Sequence, residues 1–540
     1  MSYKPSLEPD LYASVGGRVD EAFMDQMAQQ DRTPVATDRR LPRVALVVGP
    51  SPFSMPRGWE FFLASPYEGV TYIATVLHNA GYPVRIIDVR YDPDPLGSAY
   101  RQVMEGTDVL GLATYEDCYP FLEELIAEVK HARPEMPVIL GGSLVTSVPH
   151  VFMHETRADV AVISEGEITI LELMHLYARG EWNTRLSEVR GIWYRDGEGQ
   201  VHRNPARGQM PNLESLPRMR LDLWPQSRDP RGLQPQVIAS YSRGCKMDCS
   251  FCYRTTPQER VKSPTKLRAD LDWLKTQYGV NFVFFVDLTF TAHKRQTLEY
   301  LDVIREFDIG WTCLTRNADV DAEVTRAMGT SGCDIALYGV ESLTPAALKQ
   351  ARKGSTENLV ERAMRNTWDA GVRYGALTIV GLPGETEESL DHMCSWAERH
   401  NHVTRVKYLS AMPGTTVYEQ AVRSGQIRSE VEHLRWLAVE QALERDEFLN
   451  YNELPDPVMR RAYKRLYDAY QPGPVMDFKH FPEHFAYYDP DGESARPWRR
   501  EFSSAGGFPA PGWERFRGLR PSTDGVTLSS VRPREFALSV

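Results

Sequence analysis

Short runs of aliphatic and β-branched residues alternate with longer helical stretches from Arg43 onward, and this alternation constrains the fold more than any other feature. Strands and helices that alternate at this spacing form parallel sheets. Nearly all residues in the runs are apolar, as expected for strands that helices cover on both faces. The predicted strands are 44–48, 84–88, 109–113, 138–140 and 160–163 in a first series, and 237–241, 282–286, 311–315, 335–339, 374–380 and 405–409 in a second.

These two series predict an α/β protein with two successive units. The first series predicts a doubly wound, Rossmann-like domain over residues 41–180. The second series has six β/α units and predicts a partial (β/α)6 barrel over residues 235–427. In such a barrel the chemistry takes place at the carboxyl ends of the strands. Residues 181–234 are rich in turns and read as a connector with one hairpin, from Gly191 to Arg203.

Two further regions flank these units. Residues 1–40 are polar and form a predicted N-terminal extension with one helix around Val19 to Gln29. Residues 428–540 begin with helical patterns, including Pro455 to Tyr470, and then become rich in proline and aromatic residues. That end is too aromatic for a disordered tail. We therefore predict a mostly helical C-terminal region that wraps the barrel, or caps its active site.

Composition indicates in which compartment the protein is found and which classes of partner it can bind. The formal net charge of −11 argues against binding of nucleic acid. No run of apolar residues is long enough to span a membrane, and the first residues lack the apolar core of a signal peptide. We therefore predict a cytoplasmic protein that binds neither nucleic acid nor membranes. Three of the seven cysteines fall within eight residues, which favours metal ligation over a disulfide framework.

The clustered cysteines form the pattern C-x3-C-x2-C, with Cys245, Cys249 and Cys252, directly after the first strand of the predicted barrel. Three thiolates on one loop can hold three irons of a [4Fe–4S] cluster and leave the fourth iron open to a reactant. A structural zinc site would need a fourth thiolate or a histidine, and none follows closely. Coincidental thiols are the other alternative. The compact spacing and the preceding Phe251 argue against both.

The remaining cysteines and one histidine pair have simpler interpretations. Cys118, Cys313, Cys333 and Cys394 are predicted to be buried as small apolar residues. His150 and His154 lie four residues apart, which suits metal binding on a helix, but no third ligand is apparent and we predict solvated side chains.

The cysteine motif on the first strand of a six-unit β/α barrel resembles the radical SAM superfamily, over about residues 235–420. The segment Phe285 to Thr291 resembles a second-strand motif of its cobalamin-associated branch that contacts S-adenosylmethionine (SAM). Many members have two acidic residues there, where this chain has Asp287 and Leu288. Gly339-Val340-Glu341-Ser342 resembles the motif whose glutamate reaches the SAM ribose. The resemblance implies SAM contacts from Tyr253, Asp287, Thr289, Arg316, Glu341 and Gly381.

Each of these fragments also has a structural interpretation. Asp287 could cap a loop, Glu341 could interact with a helix dipole, and Gly381 could be a turn glycine. Their joint order at the strand ends favours the family interpretation. The resemblance then implies that SAM binds the open iron and that one electron breaks its carbon–sulfur bond. The resulting 5′-deoxyadenosyl radical takes hydrogen from a small-molecule substrate. The electron would come from an external one-electron reductant such as flavodoxin or ferredoxin.

The first domain resembles the cobalamin-binding domain of the same branch, through Ser65–Ala74, Gly81–Asp88, Gly141–Thr146 and Ala158–Glu167. A corrin with its nucleotide tail needs close backbone approach at the carboxyl ends of parallel strands, and glycine permits it. The D-x-H-x-x-G motif of other cobalamin enzymes does not occur, and the branch commonly holds cobalamin without a histidine. The implied cobalamin-binding residues are Tyr67, Gly69, Thr114, Tyr115, Gly141, Gly142, Ser143, Glu165 and Gly166. A Rossmann-like domain that binds nothing is the alternative.

These resemblances imply a cobalamin-dependent radical SAM enzyme that transfers a methyl group to an unactivated carbon of a small metabolite. One SAM would supply the methyl group through cobalt, and a second would supply the radical. The substrate would lie between the two units, where pockets commonly form. A second hypothesis keeps the radical but catalyses rearrangement, dehydration, epimerisation or cyclisation. A third is a redox-sensing or scaffold protein with a structural cluster, which would not cleave SAM.

Overall fold

The computed structural model describes residues 40–50, 65–90, 92, 94–116, 118–225, 236–254, 256, 258–400, 403–442 and 448–469. The predicted helix around Val19 to Gln29 and the aromatic segment beyond residue 469 lie outside these residues. Among the helices of the described part, none is long and apolar enough to cross a membrane.

The first sheet has seven strands, in the order β2-β1-β3-β4-β5-β6-β7. The first five pair in parallel, and helices connect them. Its elements are β1 (Val44–Val48), α1 (Glu68–Asn79), β2 (Val84–Asp88), α2 (Pro95–Met104), β3 (Val109–Thr114), α3 (Tyr119–Ala132), β4 (Val138–Gly142), α4 (Ser143–Ser147), α5 (Pro149–Glu155), β5 (Val160–Val162), α6 (Glu167–Arg179), α7 (Trp182–Arg185), β6 (Ile192–Arg195) and β7 (Val201–Arg203).

The second sheet has six parallel strands in the order β15-β14-β13-β12-β11-β8, which is sequential along the chain, and within the described residues its edge strands β8 and β15 do not pair with each other. A two-stranded ribbon, β9 with β10, precedes its first helix. The elements are β8 (Gln236–Ala239), β9 (Ser242–Arg243), β10 (Arg260–Val261), α8 (Pro264–Tyr278), β11 (Phe282–Phe285), α9 (Lys294–Arg305), β12 (Gly310–Thr315), α10 (Ala322–Thr330), β13 (Cys333–Glu341), α11 (Pro345–Gln350), α12 (Glu357–Asp369), β14 (Arg373–Val380), α13 (Glu387–Arg399), β15 (Val403–Tyr408), α14 (Thr416–Ser424), α15 (Glu430–Ala442) and α16 (Asp456–Asp468).

The α/β fold, with a doubly wound first unit and a partial barrel after it, is confirmed. One predicted element belongs elsewhere. The hairpin that we assigned to the connector is β6 and β7, and it extends the first sheet in antiparallel fashion. Because β6 pairs with β5, the backbone groups on that side of β5 are satisfied.

The C-terminal helices pack against both units. Tyr463 of α16 donates a hydrogen bond to the carbonyl of Val406, and its ring stacks on Tyr408 at 4.3 Å. Helix α16 thus covers the outer face of the last barrel strands. Helix α15 instead reaches the first domain, where Arg435 pairs with Glu123 at 2.6 Å. Helices α15 and α16 thus pack on the two units, while the aromatic segment predicted to wrap or cap the barrel lies outside the described residues.

His433 of α15 gives the fold a testable pH dependence. Its ring is 4% exposed, and Nε2 lies 2.8 Å from the carbonyl oxygen of Ala411, to which it donates. Burial lowers the pKa of His433 from 6.5 to about 4. The unfolded chain therefore binds a proton below pH 6.5 while the folded chain does not. We expect this histidine alone to cost about 2 kcal/mol of stability between pH 7.5 and pH 5.

Urea unfolding of the wild type and of His433→Gln at both pH values checks this expectation. Glutamine can keep a donor toward Ala411 but does not titrate, so the variant should lose less stability on acidification. His392→Gln serves as the matched control, because His392 is about half exposed. Equal acid sensitivity of the wild type and His433→Gln would contradict the prediction.

Candidate active site

The three clustered cysteines lie on a loop whose base is tied by the β9–β10 ribbon. Arg243 and Ser242 of β9 pair with Arg260 and Val261 of β10. Within the loop, the amide of Cys252 donates to the carbonyl of Cys249 at 3.1 Å. Cys245 is buried, and Cys249 and Cys252 are partly buried. The ribbon therefore presents all three thiols on one short, closed segment.

The donor set fits an iron–sulfur cluster better than a single metal ion. Among the described residues, no three histidine, cysteine or acidic side chains converge closely enough to hold one ion. A cubane cluster needs no such convergence, because each thiolate binds a different iron at a different corner. Burial raises the pKa of Cys249, and burial with the neighbouring Cys249 raises that of Cys252 to about 12. Iron binding would displace these protons.

Asp287 supports the start of the cysteine loop. It follows β11, is 1% exposed, and its Oδ1 accepts hydrogen bonds from the amides of Tyr241 (3.1 Å) and Ser242 (2.6 Å). Burial raises the pKa of Asp287 to about 7, although the bonds from Ser242 lower it. This placement favours the capping interpretation over the predicted contact with SAM. The neighbouring Leu288 is 41% exposed.

The other predicted SAM residues come together along the carboxyl edge of the barrel sheet. Tyr253 follows Cys252 on the cysteine loop, and the Thr289 hydroxyl lies 4.0 Å from the sulfur of Cys245. Arg316 follows β12 and donates to the Lys353 carbonyl at 3.0 Å. Glu341 ends β13. Because the strand order is sequential, these side chains lie in one row beside the cysteines, and their contacts with SAM stay predictions.

Gly381 follows β14 and is held by its own loop. Its amide donates to Glu385 Oε2 at 2.8 Å, as does the amide of Leu382 at 3.1 Å. Glu385 is 5% exposed, and burial raises its pKa to about 7. Met459 of α16 packs where a side chain at Gly381 would be. The structure thus places Gly381 in a turn, which is the structural interpretation, at the predicted edge of the barrel.

The predicted cobalamin residues lie at the carboxyl ends of the first sheet. Its strand order reverses between β1 and β3, and ligands of doubly wound sheets bind outside such a switch point. Tyr67 and Tyr115 pack edge to face at 5.0 Å. A side chain on Gly69 or Gly141 would meet no described atom within 4 Å. Within the described residues both positions are thus uncrowded, which fits close approach of a flat ligand.

Three other members of that set shape the turn after β4. The Thr114 hydroxyl accepts from the amide of Val145 at 3.0 Å, and Ser143 donates to the Thr114 carbonyl at 3.4 Å. The carbonyl of Gly142 accepts from the Thr146 hydroxyl at 2.7 Å. These contacts bring Thr114, Gly142 and Ser143 together, and their role toward cobalamin stays a prediction.

We predicted that Glu165 contacts cobalamin. In the structure its carboxylate instead forms ion pairs with two arginines of the barrel unit. Oε1 lies 3.0 Å from Arg243, and Oε2 lies 2.8 Å from Arg260. Glu167 adds a second contact to Arg243 at 2.6 Å. Burial opposes ionisation of Glu165, yet Arg243 and Arg260 hold the pKa of its carboxyl below its usual value. Gly166, between the two glutamates, caps α6. Glu165 and Glu167 therefore tie the first domain to the base of the cysteine loop.

The sequence patterns pointed to neither this ion-pair network nor Lys353. Lys353 lies in the loop between α11 and α12, and its Nζ is 2.8 Å from Glu341 Oε1. Its neighbours Arg352 and Gly354 form no motif that we could interpret.

The other cysteines behave as predicted, since Cys118, Cys313, Cys333 and Cys394 are all buried. His154 is exposed, as predicted, whereas His150 is partly buried and pairs with Glu430 at 2.9 Å.

Comparisons with known proteins agree with this arrangement. Residues 66–174 match the family described as the B12 binding domain, and residues 239–397 match the radical SAM superfamily. An uncharacterized methyltransferase of Pyrococcus horikoshii is 24% identical over 433 residues, which cover 79% of this chain and 92% of the relative. The anaerobic magnesium-protoporphyrin IX monomethyl ester cyclase of Rubrivivax gelatinosus is 26% identical over 62% of each chain.

A solved structure shares the fold over both units. The radical SAM methyltransferase TsrM of Kitasatospora setae, solved with cobalamin and a [4Fe–4S] cluster, superimposes with a TM-score of 0.61. The two chains are 18% identical, and the match covers 80% of this chain and 89% of TsrM. At this identity, the likeness concerns the fold.

Proposed function

Because the chain belongs to the cobalamin-binding radical SAM enzymes, we propose that it transfers a methyl group from SAM to an unactivated carbon of a small metabolite. Its cofactors are a [4Fe–4S] cluster, SAM and cobalamin. Together these groups supply a carbon radical and a transferable methyl group when bound. The protein has to hold them near one another and near the substrate, and exclude water.

The roles of the chain's own residues follow from their placement. Cys245, Cys249 and Cys252 would hold the cluster, and Asp287 would keep their loop in shape through its bonds to Tyr241 and Ser242. The row at the barrel edge, from Thr289 to Glu341, would hold SAM. The edge of the first sheet at Gly69 and Gly141 would hold the corrin.

The observation that carries the proposal is the contact between the two cofactor-binding edges. Glu165 and Glu167 follow β5 at the carboxyl edge of the first sheet, and both bind Arg243, two residues before Cys245. Glu68, at the start of α1, accepts hydrogen bonds from the Ser240 hydroxyl at 2.8 and 2.9 Å. A substrate between these edges would lie close to both cofactors, as methyl transfer through cobalt requires. The methyltransferase names of the Pyrococcus relative and of TsrM also support it.

A second candidate reaction is a radical cyclisation or rearrangement without methyl transfer. The relative from Rubrivivax gelatinosus is named a cyclase and matches over 349 residues. The same cofactors and the same edges would serve this reaction, because a radical at the substrate is needed in both.

The two reactions differ in what becomes of SAM. We expect the anaerobically reconstituted protein, with cobalamin, dithionite and deuteromethyl-labelled SAM, to form both S-adenosylhomocysteine and 5′-deoxyadenosine. With a small-molecule metabolite extract, a product should carry the label. Omission of cobalamin should stop the formation of S-adenosylhomocysteine.

Formation of 5′-deoxyadenosine alone, whether or not cobalamin is bound, would contradict methyl transfer and favour the second candidate. Replacing dithionite by reduced flavodoxin or ferredoxin tests the proposed external reductant in the same assay. Absence of both SAM products would contradict either reaction.

A further inference from the structure

The loop that follows α11, residues Ala351 to Gly354, packs directly on the cysteine loop. The amide of Ser250 donates to the Ala351 carbonyl at 3.0 Å, and the sulfur of Cys249 lies 3.9 Å from the Arg352 carbonyl. The side chain of Arg352 pairs with Asp248 at 2.8 Å. The 351–354 loop is therefore attached to the cysteine loop through both backbone and side chains.

Lys353 is the member of this loop that points inward. It is 7% exposed, and its ammonium group lies 2.8 Å from Glu341 Oε1 and 5.9 Å from the centre of the Phe251 ring. A buried lysine requires a partner, and Glu341 is that partner. The pair thus links the loop beside the cysteines to the end of β13.

Several neighbouring residues hold the Lys353–Glu341 pair in place. Glu341 has a φ of +62°, a left-handed conformation that strains a residue other than glycine. A Cβ atom at Gly339 would lie 2.5 Å from both Glu341 Oε1 and Lys353 Nζ, so only glycine leaves room for the contact. Arg316 donates to the Lys353 carbonyl at 3.0 Å, and Asn317 donates to the Gly339 carbonyl at 3.3 Å. Strain is retained where the surroundings fix a functional conformation.

We propose that Lys353 is a positioning residue of the SAM site, which acts through Glu341. Its ammonium group fixes the Glu341 carboxylate, beside the cysteine loop, in the orientation that SAM requires. SAM affinity therefore depends on Lys353, although no motif assigns this residue a role. The proposal rests on the assignment of the chain to the radical SAM enzymes and not on methyl transfer.

The test is SAM binding to the reconstituted, unreduced holoenzyme, measured by equilibrium dialysis without turnover. Lys353→Met should weaken SAM binding about tenfold or more, because the buried carboxylate loses its charged partner. Glu341→Gln should weaken binding as well. If Lys353 acts through Glu341, the double variant should bind no more weakly than Glu341→Gln alone. Lys349→Met, an exposed lysine on α11, is the matched control and should bind SAM normally.

Iron content and the electron paramagnetic resonance of the reduced cluster, with and without SAM, accompany each variant. If Lys353→Met loses its cluster, Lys353→Gln replaces it, because glutamine keeps a neutral donor to Glu341. A purely structural lysine would tolerate that change, whereas the proposal expects weak SAM binding and no SAM-induced change in the spectrum. Normal SAM binding by a cluster-loaded Lys353 variant, or independent effects of the two substitutions, would overturn the proposal. If the Lys353 variants weaken SAM binding as expected but the wild type forms no methylated product, only the proposed methyl transfer is refuted.

Discussion

Replacing Cys249 with alanine is expected to reduce the bound iron from about four atoms per chain to a trace and to abolish SAM cleavage. Cys249 lies on the closed loop between β9 and β10, where a thiolate for each of three irons is available. With only two of the three thiolates, the loop cannot hold the cluster, and electron transfer to SAM stops. Iron and sulfide analysis, with an assay for 5′-deoxyadenosine under dithionite, measures both losses.

Cys394→Ala is the matched control for this experiment. Cys394 is also a buried thiol, but it lies on α13 and contacts the Ala462 carbonyl at 3.5 Å, away from the loop. The control should keep its iron and its activity. A Cys249 variant that retains iron, sulfide and SAM cleavage would refute the assigned cluster site. A wild-type protein with one zinc ion and no sulfide would instead favour the zinc alternative.

Much of this fold could be predicted because its strands are nearly uniform in composition. Val44–Val48 is apolar throughout and buried on both faces, and it was predicted at its true bounds. The helix Tyr119–Ala132 also has a local start signal, because proline follows its first residue. Such local signals do not depend on the rest of the chain. The hairpin β6–β7 has an equally clear local signal, but its membership of the first sheet depends on which strand edge is available.

The candidate site was predictable only in part, for the same reason. The cysteine spacing is local, so Cys245, Cys249 and Cys252 could be read from the chain. Glu165 and Arg243 are 78 residues apart, and no local pattern specifies that they meet. Likewise, only the tertiary structure shows that Lys353 contacts Glu341. From sequence alone, charged residues are expected at the surface, and only the tertiary contacts determine which of them are buried in pairs.

The ion pairs of Arg243 lead to the second large expected effect. Arg243→Met leaves the carboxylates of Glu165 and Glu167 without a shared partner, in a site where these side chains are at most 10% exposed. Breaking a buried pair from one side typically costs about 3 to 5 kcal/mol. We expect a lower urea midpoint and, since Arg243 forms the base of the cysteine loop, a lower iron content. Cobalamin binding should also weaken, because Glu165 and Gly166 lie at the proposed corrin edge.

The comparison that isolates this effect is Arg268→Met. Arg268 pairs with Glu306 at 2.6 Å, but both side chains are about half exposed. Such a surface pair contributes about 0 to 1 kcal/mol, so this control should retain its stability and both cofactors. Adding Glu167→Gln to Arg243→Met should restore part of the loss, since one unpaired buried charge is then removed. If Arg243→Met behaves like Arg268→Met in urea midpoint, iron content and cobalamin binding, the two cofactor-binding edges are not coupled through this arginine.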